Sequence, residues 1–160
     1  MSTTDFFLKI NGIEGESADA KHKGEIDLLS WSWGETQSGS HAAGGGGGAG
    51  KVSMQDFHFT MTVNKATPKL IEACAAGTHI NNAILTCRKA GGQQEEYLKY
   101  TFTDLIISSY QTGGSGITPT EQISFNYAKM EVEYKEQKEG GTLGGAIKAG
   151  WDLKANQKVS

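Results

Sequence analysis

Gly15-Glu16-Ser17-Ala18-Asp19-Ala20-Lys21-His22-Lys23-Gly24-Glu25-Ile26-Asp27-Leu28-Leu29-Ser30-Trp31-Ser32-Trp33-Gly34 is the stretch on which the reading of the chain turns. Its second half, from Glu25 to Thr36, reads as a strand whose apolar phase slips between Leu28 and Leu29. Before the slip Ile26 and Leu28 share a face; after it Leu29, Trp31 and Trp33 do. Either a bulge sits there or both faces are partly covered. With period two, Trp31 and Trp33 occupy one side of the strand, and Ser30 and Ser32 the other. Tryptophans in this arrangement anchor a core or an interface, because each buries a large apolar area, although they can also stack a base or a sugar.

The flanking sequence extends the β pattern. Asp5 to Asn11 is a short strand with Phe6, Leu8 and Ile10 on one face. Lys51 to Asn64 alternates Phe57, Phe59, Met61 and Val63 with His58, Thr60, Thr62 and Asn64. Asn82 to Arg88, Glu95 to Tyr110, Glu121 to Tyr134 and Ala146 to Lys154 complete the set, the second of these being long enough to bend. One helix interrupts the strands. Thr67 suits its N-cap, Pro68 its first helical position and Gly77 its C′ stop, with Leu70, Ile71, Cys74 and Ala75 as the apolar stripe. The expected fold is mainly β, a two-sheet β-barrel with one packed α-helix and a long extended glycine-rich loop.

That loop is Ser38 to Gly50, thirteen residues that reach roughly 40 Å when extended. This is far more than a hairpin needs, and long loops of this kind are commonly functional or disordered. The tract also contains Gly45-Gly46-Gly47-Gly48-Ala49-Gly50-Lys51, which matches part of a phosphate-binding loop. Position 52 is Val, so the Mg²⁺-binding hydroxyl is missing. A strand pattern follows, so no helix N-terminus is offered to a phosphate.

Size and composition narrow the function classes. The 160 residues suit one domain spanning 1–160, and a chain of this length supports a core without disulfides. Net charge is −3 with both signs interspersed, not the basic stripe of a nucleic-acid binder. No run of about 18 apolar residues predicts a membrane span, and the N-terminal stretch lacks the pattern of a Sec signal. The expectation is therefore folding in a reducing cytoplasm, with any export by another route. Cys74 and Cys87, the two cysteines, read as small buried groups, with a disulfide or reactive pair as the alternative. The histidines His22, His41, His58 and His79 show no metal-ligand spacing. His22 lies near Asp19 and Glu25, a pattern that suits a loop hydrogen bond or a solvated side chain better than acid–base chemistry. No Gly-x-Ser-x-Gly elbow occurs, and Gly114-Ser115-Gly116 has the wrong spacing for one. Catalytic, metal and cofactor-binding residues are accordingly expected to be none.

The run Gly-Glu-Ser-x-Asp-x-x-His leading into Glu-Ile-Asp-x-Leu-x-Trp-Ser-Trp-Gly resembles the signature of the Hcp family, the tube proteins of the bacterial type VI secretion system. The resemblance continues in Lys89-Ala90-Gly91-Gly92, Ser108-Ser109-Tyr110 and Gly150-Trp151-Asp152-Leu153. It implies a non-enzymatic structural subunit that forms hexameric rings, stacks them into the inner tube and carries effectors in the lumen. It implies as partners further copies of the chain, a VgrG spike, a contractile sheath and effector proteins, with neither nucleic acid nor membrane insertion. It implies cytoplasmic assembly followed by secretion into the surroundings or a target cell. In that setting Ser30 and Ser32 would face the lumen. Ser40, His41, Ala42, Ala43, Gly44, Gly45, Gly46, Gly47, Gly48, Ala49 and Gly50 would form an arm lying on a neighbouring subunit. Trp31, Trp33 and Trp151 would anchor core or interface.

Two other classes compete. A monomeric or dimeric β-barrel binding a small ligand or carbohydrate would use Trp31, Trp33 and Trp151 as stacking platforms. A hydrolase would need a convergent acid, base and nucleophile that the sequence does not offer.

Overall fold

The computed structural model describes residues 4–39, 51–89, 94–138 and 143–159. In chain order the elements are β1 (Thr4–Ile10), β2 (Ile26–Asp27), β3 (Ser30–Ser32), β4 (Glu35–Gln37), β5 (Val52–Met54), β6 (Phe57–Thr62), α1 (Thr67–Ala76), β7 (His79–Lys89), β8 (Glu96–Gly113), β9 (Thr120–Gln137), β10 (Leu143–Asp152) and β11 (Gln157–Lys158). Among the described residues the architecture is mainly β with one helix, as the sequence pattern predicts.

The main sheet runs β11–β10–β9–β8–β7–β1–β2, all antiparallel, and β6 joins it by pairing with both β9 and β3. β9 therefore has two partners along one edge. Its first half, Thr120–Phe125, pairs with β6, and its second half, from Lys129, pairs with β10. The phase slip at Leu28 and Leu29 proves to be a change of partner. The Leu28 N–H donates to the Phe6 carbonyl of β1 (3.0 Å), and the Leu29 N–H donates to the Thr60 carbonyl of β6 (2.9 Å). Successive residues thus bond to the two ends of the strand circuit. The continuous strand expected over Glu25 to Thr36 is instead three short ones, because it pairs in turn with β1, β6 and β5. Lys51 to Asn64 likewise divides, with Gln55 and Asp56 between β5 and β6. Leu29, at the crossing, is exposed rather than buried beside the tryptophans.

β8 bends at Asp104. Phe102 and Leu105 are both buried, although residues three apart on a regular strand face opposite ways. Asp104 takes a left-handed conformation (φ 54°), which short polar residues tolerate best among non-glycines. The phase shifts there, so both neighbours reach the core. Across the ladder, β9 makes the same shift between Tyr127 and Met130, both buried. The Asp104 carboxylate accepts from His79 Nδ1 (3.0 Å) and Lys154 Nζ (3.1 Å). The core at this bend is aromatic: Phe102 lies 5.0 Å from Phe57, 5.2 Å from Phe125 and 4.8 Å from Tyr127, centroid to centroid.

Two readings of the helix require correction. Thr67 is its first helical residue, not its cap: its Oγ accepts from the Asn64 N–H and donates to Glu121 (2.6 Å). The buried stripe is Thr67, Leu70 and Ala73, at successive spacings of three, whereas Ile71 and Ala75 face outward. Gly77 ends the helix as expected, with φ 63°. The Thr78 N–H bonds back to Ala73 and the Gly77 N–H to Cys74, which satisfies two terminal carbonyls.

The Gly15–Gly24 half of the signature forms a clasp over β1. Gly15 has no room for a side chain, since a Cβ would sit 2.5 Å from the Glu25 carbonyl oxygen. Gly15 and Gly24 are also tied, the Gly15 N–H donating to the Gly24 carbonyl (2.8 Å). Arg88 of β7 is buried and donates two bonds to the Asp19 carboxylate (2.9 and 2.8 Å) and one to Asp5 (3.1 Å). Its guanidinium lies 4.7 Å from the centroid of Phe7, on which the His22 ring also stacks at 4.4 Å. His22 is buried, with Nδ1 2.9 Å from Glu25 and Nε2 2.5 Å from Glu96. Of the two roles expected for it, hydrogen bonding holds and solvation does not.

Arg88 holds the Asp19 carboxyl down at about 2, chiefly through their hydrogen bonds. Such a group contributes stability fully above the unfolded value near 4 and loses it as pH falls toward the folded value. Asp19→Asn should therefore lower resistance to urea at neutral pH. It should also flatten the loss of stability between about pH 4 and about pH 2. Parallel urea titrations across that window check this; an unchanged acid limb in the variant would assign it to other carboxylates.

Candidate functional site

Two surfaces of the β8–β9 sheet differ sharply in chemistry. The first continues outward from β3. Cross-strand register aligns Ser30, Thr60, Gln122 and Gln111 in one row across β3, β6, β9 and β8, and Ser32, His58, Ser124 and Ser109 in the next. Neither row contains a carboxylate or an ammonium group. The rows arise from period-two alternation, which sends Trp31, Phe57, Phe59, Ile123 and Phe125 toward the core and puts the hydroxyl and amide groups on the opposite face, where Ser124 is itself buried. The hydroxyls are linked: Ser30 to Thr60 at 2.6 Å, Ser109 to Ser124 at 2.5 Å, and Ser108 to both Ser124 (2.8 Å) and the marginal Asp56 (2.6 Å). The result is a polar wall four strands wide, with a depression of about 290 Å³ among Ser30, Ser32, His58, Ser109 and Gln122.

The second surface is apolar. Beyond the bend, the core-facing side of β8, β9 and β10 continues as three cross-strand rows: Phe102–Met130–Trp151, Tyr100–Val132–Ala149 and Leu98–Tyr134–Ile147. Burial decays along them, from 5% exposure at Met130 to 44% at Tyr134 and 69% at Ile147. The sheet overhangs the packed core, and its far end lies open. A groove of about 570 Å³ separates it from the paired β4 and β5; Trp33, Tyr100, Val132 and Trp151 are among its walls. The Trp151 Nε1–H is buried there and meets no acceptor among the described residues.

The tryptophans tie the two surfaces together. Trp31 packs on Phe57 (6.1 Å) and Tyr100 (5.4 Å), opposite the serines. Trp33 donates through Nε1 to the Tyr127 hydroxyl, which donates in turn to the Gln55 carbonyl (2.8 Å). Burial pushes the Tyr127 hydroxyl up to about 12, so it remains a donor at neutral pH. Gly34 and Gln55 are themselves joined by a backbone bond of 2.9 Å. The root of the glycine-rich loop is thereby fixed to β9.

Ser30 and Ser32 lie together on the polar wall, while Trp33 and Trp151 meet at the apolar groove and Trp31 sits between core and wall. The arm residues Ser40 to Gly50 lie outside the described residues, as does the glycine run of the phosphate-loop match; Lys51 leads into strand β5. Sequence reasoning missed Gln111, Gln122 and Ser109 on the wall, and Tyr134 and Ile147 on the overhang. Alternation of Gln122, Ser124 and Asn126 was the available signal for the wall. Cys87 is buried, which pushes its thiol up to about 11 and leaves it un-ionised. Among the described residues no group of three metal-ligating side chains converges, and no helix is long and apolar enough to cross a membrane.

Residues 7–134 match the family profile described as "Type VI secretion system effector, Hcp". The chain is 49% identical over 156 residues to protein hcp1 of Pseudomonas aeruginosa, covering 95% of this chain and 96% of that one. It is similar to the crystal structure of Hcp1 from Salmonella typhimurium, with 42% identity, TM-score 0.84 and coverage of 99% and 100%. It is similar also to a type VI secretion system effector from Yersinia pestis, with 40% identity, TM-score 0.77 and coverage of 92% and 99%. The apolar overhang, the polar wall and the clasp built from the Gly15–Gly34 signature are thus features of a chain that belongs to the Hcp family of type VI secretion proteins.

Proposed function

We propose that the chain is a non-enzymatic structural subunit of the type VI secretion inner tube, a single domain over residues 1–160. Six copies form a ring by head-to-tail contacts, which close when the rotation permits. The rings stack, a VgrG spike sits at the tip, sheath subunits surround the tube, and effectors travel in the lumen. Assembly takes place in the cytoplasm, and the protein leaves with its cargo.

The observation that carries this reading is the open apolar overhang. Contiguous exposed apolar surface of this kind marks an interaction site. In this reading the segment Ser40 to Gly50 serves as an arm lying on a neighbouring subunit. The wall carrying Ser30 and Ser32 faces the lumen in this reading: its rows hold no carboxylate or ammonium group, and the Ser30 hydroxyl is linked to that of Thr60. A ligand-binding barrel would draw on the same groove, because Trp33, Tyr100 and Trp151 offer stacking faces. It would remain a monomer or dimer.

Light scattering coupled to size exclusion separates the two. The 17.1 kDa chain should elute as a ring of roughly 100 kDa; a strict monomer at micromolar concentration would sink the tube reading.

Ser32→Gln places a longer uncharged amide on the wall beside His58. Rings should remain intact by electron microscopy, since no packed neighbour is displaced, and a cognate effector should co-purify in smaller amount. Intact rings with unchanged cargo would remove this face from cargo binding. Broken rings would place Ser32 in an interface.

A further inference from the structure

On the outside of β1, an open cleft of about 850 Å³ lies between the clasp and the segment preceding α1. Lys9, Lys21, Lys23, Lys65 and Lys69 line it, all with exposed side chains, against only two carboxylates, Glu14 and Glu25. Both carboxylates are engaged: Glu14 pairs with Lys65 (3.3 Å) and Glu25 with His22 (2.9 Å). The other four lysines have no ion-pair partner among the described residues. This concentration of positive charge opposes the sign of the whole chain, whose net charge is −3.

The walls of the cleft are fixed rather than loose. Lys21 and Lys23 flank His22, and Asp19 is held two residues before Lys21 by Arg88. The opposite wall is tied to the clasp by the Glu16 carboxylate, which accepts from the Lys65 N–H at 2.8 Å. The ammonium groups are therefore presented from a preformed frame, which reduces the ordering cost of binding.

We propose that this cleft docks an acidic peptide segment, a run of Asp and Glu side chains on a partner protein. No aromatic side chain lines it, so it offers nucleic-acid bases no stacking platform. Its cations are lysines, point charges that attract carboxylates without demanding one bidentate geometry. In the order of strands, β1 stands across the circuit from β6 and β9. If the ring reading above holds, the cleft opens away from the lumen, and the partner is one that surrounds the tube.

A fluorescein-labelled decaglutamate peptide tests this by anisotropy on the full chain, with assembly followed separately by light scattering. Binding should weaken about tenfold or more between about 50 mM and about 300 mM NaCl, as screening shortens the reach of the lysines. The combined change Lys21→Ser, Lys23→Ser and Lys69→Ser should raise the Kd at least about tenfold, with circular dichroism and assembled mass unchanged. The control change Lys138→Ser, Lys148→Ser and Lys158→Ser removes equal charge elsewhere and should leave the Kd unaltered. Absence of peptide binding, an equal loss in the control, or tighter capture of duplex DNA by the same lysines would each overturn the proposal. A monomeric mass with peptide binding intact would defeat the ring and leave the cleft standing.

Discussion

The ladder between β8 and β9 has to serve two different neighbours along one edge. β9 pairs with β6 through its first half and with β10 through its second, while β8 runs beside it throughout. A regular strand pair could not keep its apolar side on the core through that exchange, because the sheet must turn. The left-handed backbone at Asp104, bonded to His79 and Lys154, resets the alternation on β8, and β9 makes the matching shift around Ala128. Phe102, Leu105, Tyr127 and Met130 all reach the core as a result.

The two chemically distinct surfaces follow from this bend. Before it, the outward groups of β9 are Gln122 and Ser124, continuous with the serines of β3. After it, the core-facing groups extend past the last layer that covers them and end at Tyr134 and Ile147. Apolar area left in water is unfavourable by about 25 cal/mol per Å², so the overhang favours association with anything that covers it. The wall has no such incentive, because its groups are polar and the hydroxyls of Ser30, Thr60, Ser108, Ser109 and Ser124 are linked in pairs. Association through the overhang therefore leaves the wall uncovered.

Much of this was legible in the sequence. Alternation located most strands, Gly77 marked the helix end, and the Gly15–Gly34 signature named the family. The phase slip at Leu28 and Leu29 was visible as a slip. Its meaning was not, because periodicity records which face is buried and not which strand supplies the hydrogen bonds. The helix stripe failed for a related reason: Ile71 is as apolar as Leu70, and only the position of β8 decides which is buried. Thr67 suited a cap by type, yet Glu121, distant in sequence, claims its hydroxyl. The clasp was the hardest to foresee. Asp19, His22 and Arg88 meet only because β7 lies beside β1, and their spacing shows no catalytic pattern because their work is to hold a loop. The overhang was equally hidden, since Tyr134 and Ile147 read as ordinary strand residues until their rows are traced across β8, β9 and β10.

The account stands on the overhang being covered by a second copy of the chain. Native mass spectrometry of the variant carrying Tyr134→Lys and Ile147→Lys tests this most directly, with near-UV circular dichroism as the check on the fold. Both side chains are substantially exposed within one chain, so the core should survive and the aromatic spectrum should persist. The predicted result is a folded monomer. A folded variant that still forms the full ring would show that the overhang is not the interface and would contradict the account.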